Sequence, residues 1–377
     1  MFIVKNLVGR ARRGQLRLST GLVETPIFMP IATQGSVKTL SSEDVLSCGA
    51  QIILANTYHL LLRPGEDGIK AVGGLHKFMR WEKPILTDSG GYQVFSLSKI
   101  NEVSEDGVYF QSHIDGHRVH LTPEGSMAMQ GAIGSDIAMQ FDEVCEGKAS
   151  HERQQSAMER SARWAKRCHD VQNDGQKLFG IVQGGTYEDL REESLQHLTK
   201  IGFDGYAVGG LSVGESREDT FRITKFLAGL MPADKPRYFM GGGMPEEIVY
   251  AVAQGVDMFD CVLPTRNARH GTLFLWAGDP RACVAEAFAR AVDGASDVRI
   301  AEALYRKTAI TREDFAVDLA PIDVHGPTSS QQYSKAYLRH LFKTSEILGL
   351  RLATLQNVSF YLRLMQELRS LLEQKTL

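Results

Sequence analysis

Cysteine is scarce in this chain. Five occur in 377 residues (Cys48, Cys145, Cys168, Cys261 and Cys283), and none belongs to a C-x-x-C pair. Scattered single thiols exclude a disulfide framework and a cysteine-based metal site, and they suit a protein kept reduced. Long apolar runs are also missing: no window reaches the roughly 20 residues that a membrane-spanning helix needs. From Met1 to Arg13 the apolar run is too short, and the charge order wrong, for a secretory signal. Neither sign of charge dominates. A net charge of -3 and a pI near 6.4 give no global attraction for nucleic acid, although a local basic face would be enough. These absences point to a soluble, cytoplasmic globular enzyme. At 43% hydrophobic, the chain can bury one large α/β domain with an appendage.

What is present is a succession of short apolar runs ending in polar or glycine-rich turns. They are Thr25–Pro30, Gln51–Tyr58, Pro84–Asp88, Asp136–Asp142, Leu178–Gln183, Gly205–Gly210, Arg237–Met240 and Asp257–Asp260. Helical patterns such as His151–Asp170 and Glu188–Ile201 lie between most of them. Strands alternating with helices in this way predict a (β/α)8 TIM barrel, with an open doubly wound sheet as the alternative. In a barrel, catalytic groups gather at the C-terminal ends of the strands. Those slots hold Asn56, Asp88, Asp142, Gln183, Gly210, Met240 and Asp260, and glycine pairs beside them would let a flat ligand approach the backbone.

Within Met258–Leu263, an apolar run carries Asp260 at its centre, and Arg266 and Arg269 follow Pro264. A carboxylate there is costly unless it is paired or used. Two readings stay open: a structural acid ion-paired to one of those arginines, or a catalytic group. Asp142 could equally cap a following helix, and Tyr92 and Met240 could be ordinary core.

Six segments taken together narrow the choice. Asn56–Leu60, Thr87–Phe95, Phe141–Glu143, Gly180–Gly185, Val208–Leu211 and Phe259–Arg266 resemble, in order and spacing, the tRNA-guanine transglycosylases. The likeness is strongest over the first 275 residues. It implies exchange of guanine at the tRNA wobble position for a 7-deazaguanine, either a precursor base or queuine, in queuosine modification. It also implies that Asp260 is the nucleophile and Asp88 the general acid/base. By the same resemblance, Asp142, Gln183, Gly210 and Leu211 read the purine edge, Tyr92 and Met240 sandwich the base, and Tyr238 lines the pocket. Arg266 and Arg269 then contact the anticodon loop, where a planar guanidinium suits phosphate and stacked bases. A homodimer or heterodimer is implied as well. The alternatives are a non-catalytic tRNA-binding partner subunit, or the same exchange on another nucleic acid. A metal-dependent barrel hydrolase would need a histidine-rich strand-end set, and only His59 lies near one.

The chain departs from that family towards its C-terminus. The four slots of the family zinc site hold His325, Pro327, Ser330 and Gln356, so no cofactor is expected. Helical spacing over Tyr333–Leu348 and Leu352–Gln374 predicts two amphipathic helices that pack without metal. A catalytic barrel is expected over 1–275, and an insertion with a helical RNA-docking or dimer subdomain over 276–377. Ala277–Val298 reads as an inserted surface helix or lobe. Near the pocket, Val144 resembles members that take up queuine, Val213 resembles the bacterial pattern, and Met244 replaces a lysine of some members.

Overall fold

The structure is a computed structural model and describes residues 1–97 and 101–374; the last three residues of the expected 276–377 subdomain lie outside them. Among the described residues, a ring of short parallel strands forms the centre. Ile27–Met29 and Ile31–Ala32 are two halves of one stave, interrupted at Pro30, which has no N–H to give the ladder. The first half pairs with Met258–Asp260 and the second with Ile53–Ala55. From Ile53–Ala55 the order runs through Ile85–Thr87, Ile137–Met139, Lys177–Val182, Gly205–Val208 and Arg237–Phe239 to Met258–Asp260, closing eight staves into a barrel. The expected (β/α)8 barrel is therefore the fold, and the open sheet is excluded.

Side-chain parity divides two cores. Ile27, Met29, Leu54, Leu86, Met139, Ile181, Ala207, Tyr238 and Met258 fill the barrel interior. Phe28, Ile53, Ile85, Ala138, Val208, Phe239 and Phe259, one residue out of step, face the surrounding helices. An antiparallel sheet of Phe2–Val8, Ala11–Arg17 and Leu22–Thr25 closes the N-terminal end, where Leu16, Leu18 and Val23 join the interior core. Arg12 anchors this plug. Its guanidinium meets Asp257 through Nε (3.1 Å) and Nη2, and donates to the carbonyls of Ala233 and Lys235.

Two insertions decorate the barrel. A three-stranded antiparallel sheet (Asn101–Val103, Val108–Gln111, Arg118–Leu121) precedes helix Pro123–Ile133, which Thr122 caps through the N–H of Gly125. After the last stave come helix Leu263–Arg269 and a hairpin, Thr272–Trp276 with Tyr305–Ala309. That hairpin is spanned by helices Pro280–Val292 and Asp297–Leu304, so much of Ala277–Val298 is helical. Helix Lys335–Lys343 is capped by Ser334, and the 28-residue helix Ile347–Gln374 then lies against the N-terminal sheet and Ile27–Met29, with Tyr361 against Phe28 (ring centroids 4.9 Å). The long helix begins five residues before the expected Leu352. Gly349, in the gap between the two expected helices, is a crossing point within the long one: a Cβ there would lie 3.0 Å from that of Leu341.

Candidate active site

Pleat parity dictates what stands above the barrel core. The inward series 54, 86, 181, 238, 258 continues to Asn56, Asp88, Gln183 and Met240, each one step past its strand, and to Asp260, the last residue of its own. Apolar below and polar at the rim, this end forms a cleft of about 490 Å3. Asp88, Asp142, Asp260, Tyr92, Gly210, Leu211, Tyr238, Met240 and Arg266 all line it. Gln183 is buried beneath and reaches it through Asp142.

Asp260 is buried, and both of its donors reach one oxygen. The Tyr238 hydroxyl and the Gly241 N–H (2.9 Å) donate to Oδ1, while Oδ2 receives no hydrogen bond from the described residues. Burial raises the pKa of Asp260, and the two donors oppose that rise. The arginines are not its partners. Neither Arg266 nor Arg269 forms an ion pair among the described residues, and Nη1 of Arg269 is buried without a hydrogen bond. The structural ion-pair reading of Asp260 is thereby removed.

Asp88 is held differently. The Thr57 N–H donates to Oδ1 at 2.8 Å, and the carboxamides of Asn56 and Gln93 (3.0 Å) donate to Oδ2. Burial lifts its pKa to about 6 against these donors, with the nearby Asp260 charge adding to the rise. Asp142 also sits at about 6, raised by burial and opposed by Ser89 and Gln183. Those two donate to separate oxygens, at 2.8 and 2.7 Å. Asp142 caps no helix: the next one starts at His151 and is capped by Ser150.

Two of the glycines also make room for the protein's own groups. Gly210 has φ +61°, and a Cβ there would fall 2.2 Å from Oε1 of Gln183; one on Gly91 would fall 2.5 Å from the Asp142 carbonyl. They make room for the carboxamide and the carboxylate themselves. Tyr92 is exposed at the cleft edge, whereas Met240 packs onto the barrel core. Val144 and Val213 line the same cleft. So does His59, which burial and its neighbour His113 lower to about 4, leaving it neutral near pH 7. The supports Ser89 and Gln93 lie inside the Thr87–Phe95 segment but were given no role from sequence, and Ser194 and Tyr361 have no signal there. Ser194 Oγ accepts the Gln183 N–H (3.1 Å), and the Tyr361 hydroxyl donates to the Gly243 carbonyl (2.7 Å), bracing the turn that supplies Gly241.

At the C-terminal slots, buried Gln356 donates to Asp323 (2.8 Å) and to the Phe274 carbonyl (2.9 Å). Ser330 is buried beside them and His325 is exposed. The next residue, Asn357, donates to the carbonyls of Pro264 and Thr272 (3.0 and 2.9 Å), so it clamps the segment after Asp260 to the hairpin. Among the described residues no group of three or more His, Cys, Asp or Glu could hold a metal. The donor set present is a poor match for zinc: Pro327 brings no donor atom, and the two buried slots carry a neutral hydroxyl and an amide oxygen in place of thiolate or imidazole, although Ser330 Oγ and Gln356 Oε1 are themselves without a hydrogen bond among the described residues. Also among the described residues, no helix is long and apolar enough to cross a membrane.

A closed barrel whose rim joins three buried carboxylates to a carboxamide defines the class: a TIM-barrel protein whose cleft is equipped for nucleophilic and acid–base chemistry. The family described as Queuine tRNA-ribosyltransferase matches residues 8–377. A queuine tRNA-ribosyltransferase of Acinetobacter baylyi is 50% identical over 98% of this chain and 89% of its own length. Those of Psychrobacter cryohalolentis and Aliivibrio salmonicida are 49% and 48% identical, each over 97% of this chain and 91% of theirs. The chain belongs to this family and is an enzyme of the tRNA-guanine transglycosylase type, a pentosyltransferase.

Proposed function

We propose that this enzyme exchanges guanine at the wobble position of tRNA for a 7-deazaguanine, precursor base or queuine, through a covalent aspartyl-ribosyl intermediate. The observation that carries it is the free Oδ2 of Asp260 in the same cleft as Asp88 and the Asp142–Gln183 pair. Oδ2 attacks C1′ of the ribose. The C1′–O bond forms as the bond to the guanine nitrogen breaks, and that nitrogen keeps the electron pair. Asp88, with a pKa near 6, gives it a proton. The resulting Asp88 carboxylate takes the corresponding proton from the incoming base, whose nitrogen attacks C1′ and releases Asp260. Two displacements retain configuration, as in retaining glycosidases.

Guanine recognition falls to four groups. The Asp142 carboxylate suits the purine N–H edge, and the Gln183 amide and the free N–H groups of Gly210 and Leu211 suit its carbonyl. Tyr92 and Met240 supply the faces of an extruded base, the usual way of reaching a stacked nucleobase. Val144 and Val213 border the substituent of the incoming base. Arg266 and Arg269, free of carboxylates among the described residues, contact the anticodon loop. The barrel, 1–275, carries the chemistry, and 276–377 completes RNA docking in a dimer, in the cytoplasm. No structural zinc is bound at His325, Pro327, Ser330 and Gln356.

Asp260→Asn and Asp88→Ala, assayed with labelled guanine and tRNA, test the assignment: each should abolish exchange. Exchange at the wild-type rate in either variant would refute it. Native mass spectrometry should find no zinc; one zinc per chain would overturn the metal statement.

A further inference from the structure

Arg191 sits on helix Glu188–Ile201, one turn before Ser194, and is fully buried. Among the described residues it forms no salt bridge, and the opposite charge that acts on it is Glu215, beyond ion-pair distance. Its guanidinium is spent on backbone carbonyls. Nε donates to Gly185 (2.8 Å), Nη1 to Val182 (2.6 Å) and Gly209 (2.7 Å), and Nη2 reaches Gly210 at 3.5 Å. These carbonyls come from two different loops, one bracketing Gln183 and the other leading into Gly210 and Leu211. A buried cation with no counter-ion in contact is expensive unless its hydrogen bonds are nearly complete, and a planar fork is the side chain able to complete them in this arrangement. Its pKa, lowered by burial to about 9, still leaves it charged at neutral pH.

The far end of the second loop is held by a charge of opposite sign. Glu215 accepts the N–H groups of Ser212 (2.5 Å) and Val213 (3.0 Å). Between these two anchors, the N–H groups of Gly210 and Leu211 have no protein acceptor among the described residues. Rotating the peptide that bears the Gly209 or Gly210 carbonyl would turn the N–H it shares with the following residue. A carbonyl pinned to Arg191 therefore fixes where that N–H points.

We infer that Arg191 is a positioning residue for base recognition, locking the loop after Val208 and the backbone of Gln183 in one geometry from beneath. This rests on the transglycosylase function above and adds a specific consequence: Arg191 governs affinity for the free base and leaves docking of the tRNA alone.

The test compares wild type with Arg191→Met and Arg191→Lys, and with Arg191→Ala with and without added guanidinium ion. A misplacement of about 1 Å costs up to roughly 100-fold. KM for guanine should rise on the order of 10- to 100-fold in Arg191→Met, with KM for tRNA held within about threefold. Guanidinium should restore part of the loss in Arg191→Ala, and Arg191→Lys should lie between. Hydrogen exchange of residues 205–213 should quicken in Arg191→Lys relative to the rest of the barrel, a readout that needs no turnover. The inference is overturned by an unchanged guanine KM, by guanine and tRNA KM rising together without a guanidinium response, or by unchanged exchange at 205–213. Failure of the wild type to exchange guanine would refute the proposed function and leave the hydrogen-exchange test standing.

Discussion

Replacing Tyr238 by phenylalanine isolates one hydrogen bond. The ring is fully buried and stays in place, so no cavity forms; only the hydroxyl that donates to Oδ1 of Asp260 is lost. Asp260 keeps the Gly241 N–H as its remaining donor. A hydrogen bond to a charged group is worth about 1.5–3 kcal/mol. At about 1.4 kcal/mol per pH unit, Asp260 should therefore titrate about one to two pH units higher in the variant. The sign follows from burial. The folded-state pKa of Asp260 already lies above its ordinary value, so its ionisation costs stability as pH rises through the folded value. The variant enlarges that cost. It should be less stable than wild type by about 1.5–3 kcal/mol at alkaline pH, once Asp260 is ionised in both, and the difference should shrink as the pH falls and the carboxyl protonates. Denaturant unfolding across this range measures the difference, and formation of the covalent intermediate against pH should show its acidic limb moved upward. A stability difference of the same size at acidic and alkaline pH would refute the reasoning.

Gly210→Ala places a methyl group 2.2 Å from Oε1 of Gln183 on a backbone with φ +61°, and should raise KM for guanine while tRNA affinity is kept. An unchanged guanine KM would show that Gln183 moves aside freely. Asp142 lies near 6, lifted by burial, and reads the base as a carboxylate, so guanine binding should weaken below about pH 6 as it protonates. Asp88, also near 6, acts first as an acid, so its loss of the proton should set the alkaline limb of exchange. Asp142→Asn should raise guanine KM and flatten its pH dependence; a wild-type guanine KM that is flat between pH 5 and 8 contradicts this. Arg12→Met leaves buried Asp257 without its ion-pair partner, supported only by the Arg237 N–H (2.7 Å) and the nearby Arg237 charge, which costs up to about 3–5 kcal/mol and should lower the urea midpoint with the slope unchanged.

Much of the site was legible because a parallel barrel strand is buried on both faces and reads as an apolar run. A polar residue at or near the end of each run marks a rim position, and Asn56, Asp88, Asp142, Gln183 and Asp260 were all found that way. Helix boundaries near the C-terminus were harder, since Gly349 falls in the gap between the two expected helices but permits a close crossing when Leu341 lies beside it. The arginines beside Asp260 were ambiguous for a related reason: adjacency in sequence says nothing of contact, and among the described residues neither forms an ion pair with the carboxylate.

The sequence by itself determined the eight apolar staves, the two-residue alternation along them and the chemical groups at their ends. These are local properties, set by strand period and side-chain type. Tertiary structure alone decided which oxygen of Asp260 is free, that Asp88 and Asp142 are lifted to about 6, and that Arg191, Ser194 and Tyr361 serve the cleft from other elements. Each of these depends on desolvation or on a hydrogen bond between segments distant along the chain, and neither exists until the barrel has closed.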